Sequence, residues 1–286
     1  MVQQLRGLGV NITGHPTTGY TLAKVPDLLL PEYLTTQLKG TIFNSRIHHY
    51  FRVDSTNAAA LEAAARGEPE GSVFLAEEQI AGRGRGGNQW HSEKSAGIYC
   101  SVILRPQLPP ADVLALSLLA GLVVQQSVRH VTGLRADLRW PNDLLLSEKK
   151  FCGILAEMNA EPTRVRYAVL GIGINVNHKM FPANLRDSAT SLRMETGRDW
   201  PRLELATALL QSLDREYRAL SGDSVKNILH RFEQNSSYAR RKQVRVEENG
   251  GFEGVTDGLD ARGFLRVRTA DGMRTVLSGG VRPVAS

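Results

Sequence analysis

Ala81-Gly82-Arg83-Gly84-Arg85-Gly86-Gly87 places four glycines and two arginines in seven positions, with Trp90 close behind. Glycine lets a backbone approach a ligand closely and take up φ > 0. Arginine presents a fixed fork of donors that matches carboxylate or phosphate. A flexible cationic loop of this kind suits a clamp over an anionic ligand. Three further segments stand out: Arg139-Trp140-Pro141-Asn142-Asp143, Lys150-Phe151-Cys152-Gly153-Ile154-Leu155 and Gly171-Ile172-Gly173-Ile174-Asn175-Val176-Asn177. Arg83 or Arg85, Arg139 and Lys150 recur beside glycines or strand ends. Polyphosphate chemistry needs that inventory: positive charge on the transferring group and close backbone approach.

Taken singly, each motif has a plainer reading. The glycine–arginine run could contact RNA or lack fixed structure. Arg139 could be a surface cation packed on an indole, and Lys150 a solvated hairpin tip. Gly171 and Gly173 could mark a bulge or close packing, and Asp54, Ser55 and Thr56 could simply cap a helix. Cys152 reads as a small buried filler. The His48-His49 pair lacks a metal-ligand companion in sequence and reads as surface.

The elements that must position these residues alternate. Tyr50 to Val53 is strand-like, and Ser55-Thr56-Asn57 leads an Ala-rich helix that runs to Arg66 and stops at Gly67. Val73 to Glu77 and Ile98 to Leu104 read as strands, the glycine loop lying between them. Asp112 opens a long apolar helix ending near Gly133. Leu134 to Trp140, Phe151 to Met158 and Val165 to Val176 are three more strands, with Lys149-Lys150 at a hairpin turn. Helices follow from Asp199-Trp200-Pro201 to about Leu220 and from Ser224 to Gln234. The last fifty or so residues change to short strands between glycine and acidic turns, the spacing of a small all-β barrel. A boundary is expected near Ser236-Ser237.

The chain has 286 residues and a formal charge of +6. That balance admits nucleic acid, an anionic cofactor or an acidic partner. No uninterrupted apolar run reaches the roughly 18 residues of a membrane span, and Met1 to Arg6 lacks an apolar signal core. Val113 to Val124 reads as a buried helix. Cys100 and Cys152 lack CxxC spacing, which fits a reducing, cytoplasmic setting.

Order adds what the single motifs lack. Ser55-Thr56-Asn57, Gln79 to Gly87, Trp90, Arg139 to Asp143, Lys150 to Leu155 and Gly171 to Asn175 follow one another in a way that resembles the biotin protein ligase family. Its pattern includes STN, Q-x-x-G-R-G-R-x-G, K-W-P-N-D, K-x-x-G-I-L and G-x-G-I-N. The resemblance runs from about residue 43 to the end and includes Ser188-Ala189-Thr190-Ser191-Leu192. It implies an α/β (α+β) fold: a mixed sheet with flanking helices, like class II aminoacyl-tRNA synthetases, over residues 25–236, then an SH3-like barrel over 237–286. It implies that biotin is activated with ATP and Mg²⁺ to biotinyl-5'-AMP, releasing pyrophosphate. Biotin then passes to one lysine of the biotin carboxyl carrier domain of acetyl-CoA carboxylase or a related carboxylase, releasing AMP.

Carried over by motif, Ser55, Thr56, Asn57, Gln79, Arg83, Gly84, Arg85, Trp90, Lys150 and Gly153 are expected at biotin. Arg85, Arg139, Asn142, Asp143 and Asn175 are expected at the nucleotide, with Asn142 and Asn175 on adenine edges. Lys150, Arg85 and Arg139 are the expected catalytic cations. Asp143 is left with two roles, holding Mg²⁺ through water or orienting Arg139. The chain departs from the family at Arg139, where lysine is usual, and at Gly86, where some relatives carry a third basic residue.

Residues 1–24 resemble the end of a recognition helix and the wing of the winged-helix domain in bifunctional ligase–repressors. With the preceding helix missing, specific DNA binding is not expected; an upstream segment would restore that alternative. A lipoate ligase on the same fold is a further alternative, opposed by Gly82–Gly87 and Trp140-Pro141-Asn142-Asp143. Family members also pair through a sheet edge, so a homodimer is an open expectation.

Overall fold

Val73–Ala76 and Gly97–Leu104 are buried at every position, so they must lie in a sheet covered on both faces. The computed structural model describes residues 2, 12–15, 17, 19–22, 27–221, 224–248 and 250–284. It opens on an antiparallel hairpin, β1 (Ile12–His15) and β2 (Gly19–Leu22), where two strands around a turn were expected. The expected helix end before it falls, apart from residue 2, outside the described residues. Next come a short helix, α1 (Pro31–Gln37), and β3 (Ile47–Tyr50). They are followed by α2 (Thr56–Ala65), β4 (Val73–Ala76) and β5 (Gly97–Leu104). Beyond α3 (Leu114–Thr132) run β6 (Asp137–Arg139), β7 (Asp143–Leu146), β8 (Lys149–Ala160) and β9 (Val165–Asn175). The sheet order is β3-β4-β5-β9-β8-β7-β6; β3 and β4 are parallel and every other pair is antiparallel.

Three local differences from the sequence reading have physical causes. The first strand ends at Tyr50, because Val53 keeps only an isolated bridge to Gln79 before the Ser55 cap begins. The Lys149-Lys150 turn moves back to Ser147 and Glu148, whose φ values of 48° and 62° make a tight reversal between β7 and β8. Lys150 is therefore a strand residue. β7 itself went unread because four residues following a proline turn carry no periodicity of their own.

The helix α2 covers β4, β5 and β9 on one face. Ser55 caps it by accepting from the Ala58 N–H at 3.4 Å. On the other face α3 packs on β6, β7, β8 and β9. A short helix, α4 (Leu192–Thr196), precedes α5 (Arg202–Arg218) and α6 (Ser224–Asn235), and these last two pack on α3. Over its most apolar window the Pro110–Thr132 stretch has mean hydropathy 1.6, long and apolar enough to cross a membrane. That corrects the expectation drawn from uninterrupted runs. Here Ala115 to Val124 are all buried against sheet and helices, so the apolarity is used within the core.

The last five strands, β10 (Arg240–Val246), β11 (Phe252–Leu259), β12 (Leu265–Thr269), β13 (Gly272–Val276) and β14 (Val281–Pro283), form an antiparallel sheet in the order β13-β12-β11-β10-β14. Val244, Leu265, Val267 and Val281 belong to the same apolar core as α3 and β8, so the core is continuous past Ser236-Ser237. The Trp140 indole N–H donates to the Gly263 carbonyl at 2.8 Å and ties the two sheets together.

A buried ionic knot secures the end of β4 and the start of β5. Glu77, at the end of β4, accepts from the Leu29 N–H (3.0 Å) and from Arg202 (2.8 Å), and its Oε1 lies 3.1 Å from His49 Nε2. Arg202 is fully buried; it also donates to the Gly97 carbonyl at 3.0 Å and pairs with Asp27 at 3.2 Å. Burial pushes Glu77 up, but His49, Arg202 and the Leu29 amide outweigh it and bring its pKa down to about 2. A carboxylate depressed in the fold stabilises above its unfolded value of about 4.3 and loses that contribution as pH falls towards the folded value. Glu77→Gln is expected to cost about 1.5–3 kcal/mol at neutral pH, since buried Arg202 then keeps only the partly exposed Asp27 as a carboxylate partner. It should also flatten the stability loss below about pH 4.3. Urea titrations of both proteins from neutral to acidic pH check this; equal midpoints at every pH would contradict it.

Candidate active site

Glycines make the floor of the cleft. Across β5 and β9, Ser101 faces Gly171 and Tyr99 faces Gly173; across β8 and β9, Gly153 faces Gly173. The two-residue period of a strand turns Gly171 and Gly173 to one face. A Cβ on Gly171 would lie 2.1 Å from Asn57 Oδ1, one on Gly173 2.5 Å from the Trp90 indole, and one on Gly153 2.9 Å from that same ring. The missing side chains thus admit Asn57 from α2 and Trp90 from the loop. The cleft between them is narrow, with a cavity volume of about 50 Å³. Ser55, Thr56, Asn57, Gln79, Arg83, Gly84, Arg85, Trp90, Asn142, Lys150 and Gly153 all line it.

The glycine–arginine loop, expected to be flexible, folds back as a hairpin strap. Gly84 N–H donates to Asn88 O at 2.7 Å and Trp90 N–H to Gly82 O at 2.8 Å. Its tip needs glycine, with φ of +63° at Gly86 and +79° at Gly87. Two side chains pin it: Arg83 donates to Glu157 Oε1 at 2.8 Å and Arg85 to Asn142 Oδ1 at 3.2 Å.

One wall is neutral and polar. The Thr56 N–H and hydroxyl donate to Gln79 Oε1 at 2.8 and 3.1 Å, and Gln79 Nε2 donates to Ser92 Oγ at 2.8 Å. Ser101 Oγ lies 2.8 Å from Thr56 Oγ1 and 2.7 Å from Asn57 Oδ1. Asn57 Nδ2 donates to Glu157 Oε2 at 2.8 Å, so Glu157 bridges the strap and α2. Ser92, Ser101 and Glu157 were missed from sequence. The available signal was a polar residue, Ser101, inside an otherwise apolar strand.

The other end is cationic. Lys150 Nζ pairs with Asp143 Oδ1 at 2.5 Å and lies 5.4 Å from the Trp90 ring centroid. Arg139 donates to Asp143 Oδ2 at 2.7 Å. Burial pushes Asp143 up, but Lys150 and Arg139 beside it hold it below the ordinary carboxylate range. Burial pulls the Arg85 guanidinium down, with Asp143 opposing. One carboxylate among Lys150, Arg139 and Arg85 leaves positive charge in excess, an anion-attracting field.

Arg139 does not line the cleft; only 8% of it is exposed, and it sits behind Asp143. Asn142 is not free for an adenine edge in this state: its amide donates to Ile154 O at 2.7 Å and its oxygen accepts from Arg85. Asn175 lines an adjoining recess of about 120 Å³, walled from the cleft by Trp90 and Lys150. Its amide donates to Thr190 O at 3.0 Å while its buried Oδ1 has no partner. Both Asp143 oxygens face cations, and among the described residues Asp143 joins no cluster of three acidic, His or Cys ligands. As placed, it fits the role of orienting Arg139 and Lys150 and does not fit a resident Mg²⁺ site. Cys152 is buried, its thiol pushed up by burial, as a filler should be.

Residues 50–175 match the Biotin/lipoate A/B protein ligase family, and residues 242–281 match the Biotin protein ligase C terminal domain. The bifunctional ligase/repressor BirA of Bacillus spizizenii is 34% identical over 98% of this chain and 87% of its own length. The biotin–[acetyl-CoA-carboxylase] ligase of Mycobacterium tuberculosis is 36% identical over 79% of this chain and 84% of its own. In structure the chain is similar to the Aquifex aeolicus biotin protein ligase in complex with biotin and ATP. There the TM-score is 0.72 and the identity 30%, over 85% of this chain and all of that one. On sequence and fold alike, the chain belongs to the biotin protein ligase family.

Proposed function

We propose that the glycine-floored cleft holds biotin, that the recess beyond Trp90 and Lys150 receives ATP, and that Lys150 stands where the two react. The observation that carries this is the placement of Lys150, which lines both cavities and forms part of the wall between them. The neutral wall of Ser55, Thr56, Asn57 and Gln79 suits a uncharged ureido ring, which needs donors and acceptors and no counter-ion. The biotin carboxylate then lies towards the cations.

Its oxygen attacks the α-phosphorus, a bond forms between them, and the bond to the pyrophosphate oxygen breaks. Two anions must meet for that to happen, and the transition state gathers further charge. Lys150 and Arg85 offset both effects. Asp143 keeps Lys150 aimed, and Arg139 in turn keeps Asp143 ionised, so Arg139 acts through its neighbour. Mg²⁺ carried by ATP would supply further neutralisation of the phosphate charge beside Lys150 and Arg85. The strap excludes water from the mixed anhydride. A deprotonated lysine amine of a carboxylase carrier domain then attacks the acyl carbon and AMP leaves, with no enzyme nucleophile needed. A need for ATP, with two free buried thiols at Cys100 and Cys152, supports a cytoplasmic setting for this work.

A second reading, a ligase that is also a biotin-responsive repressor, rests on the β1–β2 hairpin and on the BirA relatives. A gel shift with biotinyl-AMP present separates the two readings. Salt-sensitive, non-specific binding is expected here; a complex with one operator that survives excess competitor DNA would favour the second.

Lys150→Ala is expected to lower biotinyl-AMP formation about 10²–10³-fold. Its stability should change by about 1–2 kcal/mol, because Arg139 keeps the buried Asp143 carboxylate paired. Adenylate synthesis at the unaltered rate would remove Lys150 from its role. Gly171→Ala forces Asn57 away from Ser101 and Glu157, given the 2.1 Å approach. Calorimetry should show biotin affinity at least about tenfold weaker, the loss of one to two hydrogen bonds. Undiminished affinity would contradict the assigned wall.

A further inference from the structure

A second cluster borders this machinery, on the returning limb of the strap, with His91 lining the recess assigned to ATP. His91 and Glu93 follow Trp90, and His178 follows β9. One ligand atom from each of the three lies within 4.8 Å of the other two. His178 is fully buried and stacked on Phe181, with ring centroids 5.1 Å apart and planes at 15°, so its ring is held in place.

Tyr99 settles which nitrogen of His178 is bare. Its hydroxyl donates to the Glu93 carbonyl at 2.8 Å and has no second proton. At 3.3 Å from His178 Nε2 it therefore accepts, and Nε2 carries the hydrogen. His178 Nδ1 is left as a lone pair, buried and without a partner. A buried polar atom in that state is destabilising unless something meets it. A protein oxygen accepting from the outer N–H of an imidazole is also the arrangement that orients metal-ligating histidines.

We propose that His91, Glu93 and His178 bind one divalent cation of the zinc class. Two imidazoles and a carboxylate form a zinc donor set that leaves a fourth position open. Magnesium and calcium prefer oxygen donors, so this site differs in kind from the cation that accompanies ATP. In a tetrahedral site with bonds of about 2.0–2.1 Å the ligand atoms stand roughly 3.3 Å apart. The exposed Glu93 and half-buried His91 must close that gap while His178 stays fixed. The cation would tie the strap's returning limb to the segment after β9, and His91 and Phe181 also line the recess beside Trp90.

The test titrates the untagged, metal-free full chain with Co²⁺ and follows its visible absorption. One Co²⁺ per chain with tetrahedral bands, displaced by Zn²⁺, is expected. His91→Ala and Glu93→Gln should each weaken binding at least about tenfold, as loss of a ligand does. Tyr99→Phe, which removes no ligand, should weaken it about 10- to 100-fold. Circular dichroism confirms that each variant is folded, and His178 is left intact because it is buried. Absence of stoichiometric Co²⁺ binding by the folded protein would overturn the proposal. So would His91→Ala and Glu93→Gln variants that bind as the parent does.

Discussion

A lysine ammonium held between a carboxylate and an indole is the contact on which the rest of the site depends. Lys150 is drawn to Asp143 on one side and Trp90 on the other. Neither partner quenches it fully, because Arg139 shares the same carboxylate. The result is a cation whose position is fixed and whose charge remains available to an incoming anion. Position and available charge usually compete, since a fully paired lysine attracts nothing further. The chain reconciles them by giving one aspartate to two cations.

The fold supplies that geometry through strand pairing. Lys150 is the second residue of β8 and Asp143 the first of β7; the register sets Asp143 opposite Gly153, and the lysine side chain reaches along β8 past Gly153 to meet the carboxylate. Residues 188–190 reinforce it, because Lys150 N–H donates to Ser188 O at 2.8 Å and Thr190 N–H to Lys150 O at 3.0 Å. On the opposite side the Glu77–Arg202 knot anchors β4, from whose end the chain reaches Gln79 and the strap. Strands therefore carry Lys150 and Asp143, and the strap that carries Arg85 is pinned at two arginines.

Much of this was legible in the sequence because the motifs are local. Ser55 caps a helix in any context, Gly86 and Gly87 announce a turn, and alternate glycines at 171 and 173 announce a bare strand face. What stayed hidden depended on partners distant in sequence. Arg139 reads as a phosphate ligand until β6 and β7 pair and place it behind Asp143. Asn142 reads as an adenine reader until Ile154 and Arg85 take both ends of its amide. Glu157 looks like an ordinary strand carboxylate until Asn57 and Arg83 arrive from opposite directions. The α3 helix was legible as a buried element from the Val113 to Val124 stretch, and Ala115 to Val124 are all buried, although the composition of Pro110–Thr132 also fits a membrane.

The central claim is that one lysine stands at the junction of two ligand cavities. It is tested most directly by a crystal structure of the chain with a non-hydrolysable analogue of an acyl-adenylate. The account predicts the ureido ring against Ser55, Thr56 and Asn57, the nucleoside in the recess beside Asn175, and the bridging group within hydrogen-bond reach of Lys150 Nζ. A complex with the analogue bound elsewhere, or with its bridging group remote from Lys150, would contradict it.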